Sequence, residues 1–138
     1  MHVHLMCTQL MRAATLRPMS DPLVSQWREL LARHARTTVA LDEALGEHGL
    51  GMSEFEILDR LACDCGERPR MQDLMATAHL SQSALSRTVG RLEKDGLVER
   101  AMCPEDRRGI SVCLTPEGRA RYEAARPTHR RVLSELLG

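Results

Sequence analysis

The sequence predicts a mainly α fold with a small β-wing, a winged helix-turn-helix beside a helical stem, and three observations in the stretch 80–115, LSQSALSRTVGRLEKDGLVERAMCPEDRRGISVCLT, predict it. Ser81 is a small polar residue suited to cap a helix. Leu85, Val89 and Leu92 follow at i, i+4 and i+7, so they share one helical face. After Gly96, two short segments, Leu97-Val98-Glu99-Arg100 and Ile110-Ser111-Val112-Cys113-Leu114, flank a charged, proline-bearing loop at 104–109. A helix for the major groove and a hairpin for its flank make a DNA-reading geometry.

Taken in order, residues 1–20 have mixed composition without a sustained period and are expected to form a flexible tail, leaving 21–138 as one domain. Asp21-Pro22 joins an N-cap acceptor to proline at the first helical position, where a missing N–H is harmless. From there Leu23, Trp27, Leu30, Leu31, His34, Thr38, Leu41 and Leu45 recur at three- and four-residue steps. A long amphipathic helix ending at Gly46 or Gly49 is therefore expected. Ser53-x-x-Glu56 reads as a capping box for a second helix with Phe55, Ile57, Leu58 and Leu61 apolar. After a loop, a short helix from Met71 to Ala78 is expected to carry Leu74 and Met75 inward. His79-Leu80 turns into the Ser81-capped helix, about 82–95, which Gly96 stops. The return segment from Ile110 to Leu114 is expected to alternate with period two. Thr115-Pro116 repeats the cap-and-proline signature and launches a last helix through Leu136, with a break or kink expected at Pro127.

Composition limits what such a chain does. With 43% apolar and 28% charged residues it is globular rather than disordered, and with 2% aromatics its core must come from Leu, Val, Ala and Met. No apolar run approaches the roughly 18 residues that a membrane helix needs. The N-terminal stretch lacks the clean apolar core of a signal peptide, so a cytoplasmic protein is expected. The formal net charge is zero, from 19 basic and 19 acidic residues. A nucleic-acid partner normally leaves a basic footprint, and 81–110 holds six basic residues against five acidic ones. Any footprint must then come from the arrangement of charges in space. The sequence has no phosphate-cradling glycine loop, no HExxH and no nucleophile elbow, so no catalytic residue, cofactor or metal is expected.

If Leu85, Val89 and Leu92 face the core, Gln82, Ser83, Ser86, Arg87, Gly90 and Arg91 face outward. Arginine offers a fork to guanine O6/N7, glutamine pairs with adenine N6/N7, and serine serves a base or a phosphate. With Ser81 at the helix start, where free N–H groups favour phosphate, the candidate recognition set is Ser81, Gln82, Ser83, Ser86, Arg87 and Arg91. On an arbitrary amphipathic helix these would be ordinary solvated side chains. The adjoining hairpin favours the recognition surface.

DGLVER followed by PEDRRGISVCLTPEGR resembles the MarR family of bacterial transcriptional regulators. In that family a wing carrying Asp-x-Arg is followed by Leu-Thr, and the matching positions are Asp106, Arg108, Leu114 and Thr115. The likeness spans 22–137 and is strongest over 81–118. It implies one MarR-like domain, with dimerisation helices at 21–48 and 116–138 and a winged helix-turn-helix lobe at 52–115. It implies a homodimer on a pseudo-palindromic operator in double-stranded DNA, usually a repressor released by a small aromatic or anionic effector or by thiol oxidation. The wing contacts would be Asp106, Arg107 and Arg108, with Arg108 in the minor groove and Asp106 holding it. A narrow minor groove concentrates negative potential and favours arginine. The alternative for Asp106 and Arg108 is a surface ion pair worth at most about 1 kcal/mol.

The stripes Trp27/Leu30/Leu31/Leu41/Leu45 and Val132/Leu133/Leu136/Leu137 suit such a stem or, equally, the core of a single chain. The sequence ends at Gly138, before the further helix that such stems usually carry, which leaves a smaller interface or a contribution from the N-terminal segment. The zero net charge keeps a second function in view, a winged-helix module that binds protein instead of DNA. Trp27 and His34 are candidates for a ligand pocket, with His129 as a further possibility. A hydrogen-bonded histidine at a packing seam is the commoner fate of such residues. The five cysteines, Cys7, Cys63, Cys65, Cys103 and Cys113, do not suggest a disulfide framework. Cys63-x-Cys65 admits a zinc, a redox or an inert reading, and zinc is disfavoured because it wants four ligands. Cys113 is expected to be a small buried hydrophobe.

Overall fold

The computed structural model describes residues 21–63, 69–102 and 109–138. The expected tail 1–20, Cys65, Cys103 and the wing residues Asp106, Arg107 and Arg108 lie outside the described residues. The elements are α1 (Pro22–Leu45), a 3-10 turn (Gly46–His48), α2 (Met52–Cys63), α3 (Met71–Ala78), α4 (Gln82–Lys94), β1 (Val98–Met102), β2 (Ile110–Leu114) and α5 (Pro116–Leu137). The strands pair antiparallel, Val98 opposite Leu114 and Met102 opposite Ile110. This is the expected helical fold with a two-stranded wing.

The backbone divides into two units, Met1–His34 and Ala35–Gly138. In the first, Asp21 caps α1 as expected, its Oδ1 accepting the Leu23 N–H at 2.9 Å. Leu23, Val24, Trp27, Leu30 and Leu31 are all exposed there, Trp27 by 57%. The stripe read as one apolar face is thus two, because Leu41 and Leu45, in the second unit, are buried. Gly49, at φ +69°, ends the 3-10 turn in the left-handed conformation that glycine adopts without cost.

The second unit holds the core. Leu45, Leu50, Phe55, Ile57, Leu58, Leu85, Val89, Leu92, Leu97 and Val112 are buried, each large aliphatic or aromatic side chain stabilising the fold by about 1.5–3 kcal/mol relative to exposure. Phe55 stacks between Tyr122 and His129 of α5, with ring centroids 5.5 and 4.2 Å away. Tyr122 donates its hydroxyl to Asp59 Oδ1 at 2.7 Å, and Arg130 donates to the same oxygen at 3.0 Å. The one carboxylate therefore fixes two turns of α5 against α2.

Several expectations need correction. Ser53 does not open α2, which starts a residue earlier at Met52. Asp42, on α1, accepts the Met52 N–H at 2.7 Å, and Glu54 accepts the Gly51 N–H. A carboxylate ten residues upstream replaces the local cap, and Glu54, not Glu56, completes the box. Leu74 is buried, but Met75 is 37% exposed. Neighbours on a helix lie about 100° apart, so a short helix with one covered face buries only one of them. α5 is unbroken at Pro127. Proline deletes a single donor, and the buried Ala125, His129 and Val132 around it hold both halves in register.

β2 does not alternate with period two. Ile110 is exposed, Ser111 and Val112 are both buried, and Cys113 and Leu114 are half-buried. An isolated β-bridge lies along the outer edge of β2. Pro69 C=O accepts the Val112 N–H at 3.1 Å and Arg70 bridges to Ser111, covering the outer edge. Ser111 Oγ donates to Ala101 C=O at 3.0 Å, which satisfies the buried hydroxyl. Cys113 is accordingly half-buried, not buried, with Sγ 3.7 Å from Glu99 C=O.

The start of α5 is held tightly. Thr115 Oγ1 accepts the Gly118 N–H at 3.0 Å and donates to Gly96 C=O at 2.6 Å, while Thr115 N–H donates to Leu97 C=O at 3.1 Å. Gly118 lies so close that a Cβ there would meet Leu97 C=O at 1.9 Å.

Candidate nucleic-acid interface

Helix α4 forms because Ser81 caps it, accepting the Ala84 N–H at 3.2 Å, and because Leu85, Val89 and Leu92 bury one face. Thr88 is buried among them and donates to Ala84 C=O at 2.8 Å. This burial turns Ser81, Gln82, Ser83, Ser86, Arg87 and Arg91 to solvent, with Lys94 one turn further on. Ser81 is occupied as a cap, so its hydroxyl oxygen has one lone pair committed. Gly90, read as outward, is half-buried.

Gly90 is half-buried because of Arg100 on β1, a residue that sequence reasoning passed over. Its guanidinium lies 3.8 Å from where a Cβ on Gly90 would sit, and Nε is 3.6 Å from Glu93 Oε2. The wing is thereby tied to the outer side of α4. The signal was a glycine inside an otherwise good helix, which often marks a close approach, though nothing local names the partner. Between α3, α4 and the wing lies a cavity of about 330 Å³ walled by Met71, Met75 and Leu85, with Gln72, Gln82, Ser86 and Arg100 as polar groups.

A second, open groove of about 630 Å³ runs along the other side of α4, between Ser53 at the start of α2 and Arg87, Arg91 and Lys94. Those cations are spaced i, i+4, i+7, so they stand in one row. Arg91 is 65% exposed and sits 3.8 Å from the Glu54 carboxylate, which is 12% exposed. Burial pushes Glu54 above the usual carboxylate range, against the opposing pull of Arg91. The sequence does not single out Glu54, because Ser53-x-x-Glu56 already supplies a complete capping-box pattern. The basic footprint is therefore a row on one helix face.

Trp27 and His34 are exposed, and the groove on that stretch of α1 is lined by Ser25, Gln26, Glu29, Leu30 and Arg33 instead. His129 takes the commoner of its two expected fates. It is 3% exposed, stacked on Phe55, accepts from Arg130 at Nδ1 (2.6 Å) and places Nε2 3.4 Å from Glu56. It is a packed seam histidine. Cys63 ends α2 and is exposed. Among the described residues no three His, Cys, Asp or Glu side chains are grouped to hold a metal ion. No helix among the described residues is long and apolar enough to cross a membrane.

A helix-turn-helix whose second helix shows a polar, basic face beside an antiparallel hairpin defines the winged helix-turn-helix class. A MarR family model matches residues 50–110. The structure is similar to AbsC, a MarR family transcriptional regulator from Streptomyces coelicolor, with TM-score 0.77 and 34% identity over 86% of this chain and 80% of that one. It is similar to Sco3205 of the same organism, a MarR family regulator solved in complex with DNA, with TM-score 0.78 and 30% identity over 86% and 77% of the two chains. In sequence it is 32% identical over 89 residues to the HTH-type transcriptional repressor YetL of Bacillus subtilis, covering 64% of this chain. The chain spans about half, 53%, of the length of that relative. The chain belongs to the MarR family.

Proposed function

We propose that the chain is a sequence-specific DNA-binding transcriptional regulator acting as a homodimer on a pseudo-palindromic operator. The observation that carries this is the outward face of α4, where Gln82, Ser83, Ser86, Arg87 and Arg91 stand exposed over a buried apolar seam. Those side chains have the donor and acceptor patterns that read base edges in a major groove or hold the phosphates beside it. The DNA complex of Sco3205, at 30% identity, supports the same use of the lobe here. From the wing, Arg108 extends the contact into the minor groove with Asp106 holding it, and Arg107 adds a further DNA contact.

Residues 21–48 and 116–138 serve as dimerisation helices around the lobe at 52–115. Exposed Leu23, Trp27, Leu30 and Leu31 on α1, and exposed Leu136 and Leu137 on α5, support that role, since apolar groups left in water favour association. The action is repression, as in the name of YetL, in the cytoplasm. It is relieved by a small aromatic or anionic effector near Trp27 and His34, or by thiol oxidation.

Selection of duplexes from a random pool, then fluorescence anisotropy at two salt concentrations, tests the core of this. A selected motif with two inverted halves and affinity that falls with salt is expected. Recovery of no motif, or affinity indifferent to salt, overturns it.

A further inference from the structure

Arg87, Arg91 and Lys94 line the groove along α4, and one acidic group is set against the middle member of that row. Glu54 stands in the first turn of α2, where the Gly51 N–H holds its carboxylate. Of the pair, Glu54 is the fixed member at 12% exposure and Arg91 the movable one at 65%. The other charges facing the carboxylate are Asp95, which caps the end of α4, and Asp42 on α1, both negative. Among the described residues Arg91 is therefore the sole cation that acts on it, and Arg91 also lines the groove along α4.

We propose that Glu54 is a positioning residue for DNA binding: it parks Arg91 at the mouth of the groove, and a backbone phosphate then takes the guanidinium from it. This rests on the DNA-binding reading above. When the phosphate accepts Arg91, the carboxylate loses its one counter-charge and stays beside Asp42, Asp95 and the incoming phosphate. It then takes one proton from solvent and becomes a neutral acid. Burial has already raised Glu54 in the free protein, which brings that uptake toward accessible pH. The sign follows from linkage. A complex that binds one more proton than its free parts tightens as pH falls, until the free protein is protonated too. DNA binding by this chain is thus coupled to acidity through a group that touches no base.

The test compares the wild type with Glu54→Gln, whose amide oxygen still accepts the Gly51 N–H and preserves the helix start. Anisotropy with the selected duplex and with a random-sequence duplex is run from about pH 5 to about pH 8, upward from the ordinary glutamate range. Near pH 8 the Gln variant should bind about three- to ten-fold tighter, the scale of one unscreened like-charge contact removed. The gap should close as pH falls. Taking the ratio of the two proteins at each pH isolates the contribution of position 54. Introducing Arg91→Gln into both backgrounds should shrink the gap, since Glu54 acts through Arg91. Parallel pH curves, or a gap unchanged without Arg91, overturn the proposal while DNA binding stands. If the wild type binds neither duplex, the regulator reading falls first and takes this with it.

Discussion

At the scale of single residues, chemistry is divided between side chains that meet a partner and side chains that hold those in place. Arg87 is exposed on α4 with a free approach to a groove, and it has the guanidinium fork that a guanine edge fits. Arg87→Ala should therefore weaken binding by about 1–3 kcal/mol and also relax the preferred base at one position, read by repeating the duplex selection. An unchanged selected motif would reassign Arg87 to phosphate. Tyr122 belongs to the second group. Burial and its bond to Asp59 push its phenol up to about 12, from an ordinary 10.0. Since the folded value is the higher one, the neutral phenol contributes stability that is complete below about 10 and lost as pH rises toward about 12. The chain has a single tyrosine, so phenolate absorbance reports on Tyr122 alone. Compared with Tyr122→Phe, the wild type should lose on the order of 2 kcal/mol across that window, measured by denaturant unfolding. Equal slopes for the two proteins would show that the hydroxyl bond carries no linkage.

Elements were legible in the sequence to the degree that their ends are local. The caps at Asp21, Ser81 and Thr115 each bond a backbone N–H within three residues, and each was readable from its own few residues. The start of α2 was not, because its acceptor is Asp42, supplied by another helix. Of the candidate site, the solvent-facing side of α4 was readable from the spacing of Leu85, Val89 and Leu92, except at Gly90. Arg100 and Glu54 were not, because they reach α4 from β1 and α2. β2 broke its expected alternation for the same kind of reason, since Pro69 and Arg70 cover an edge that periodicity leaves open. A contrast between glycines tests the packing of these elements. Gly118→Ala drives a methyl into Leu97 C=O and should cost about 1–3 kcal/mol, seen as a lower Tm. Gly46→Ala meets nothing within 4 Å and should be neutral or stabilising by up to about 1 kcal/mol. Equal Tm values for the two variants would mean that α5 can shift away from the wing at no cost.

For the whole molecule, the question is what covers the apolar half of α1. Leu30 and Leu31 are 59% and 46% exposed, beside Trp27. If that face joins two copies, Leu30→Glu with Leu31→Glu should give a monomer by sedimentation with its helical signal kept. Operator affinity should then fall by more than about ten-fold, because two half-sites no longer bind as one ligand. A double variant that remains dimeric would move the interface elsewhere. The zero net charge is no obstacle at this scale. Arg87, Arg91 and Lys94 share one face, and the field near that face follows local arrangement rather than the total.

The three bonds of Thr115 have a mechanical consequence. One hydroxyl and one amide join the first turn of α5 to Gly96 and Leu97, directly after α4. Any tug on the last helix is thus handed to the far end of the groove-facing one within a span of a few ångströms, with no loop in between to absorb it.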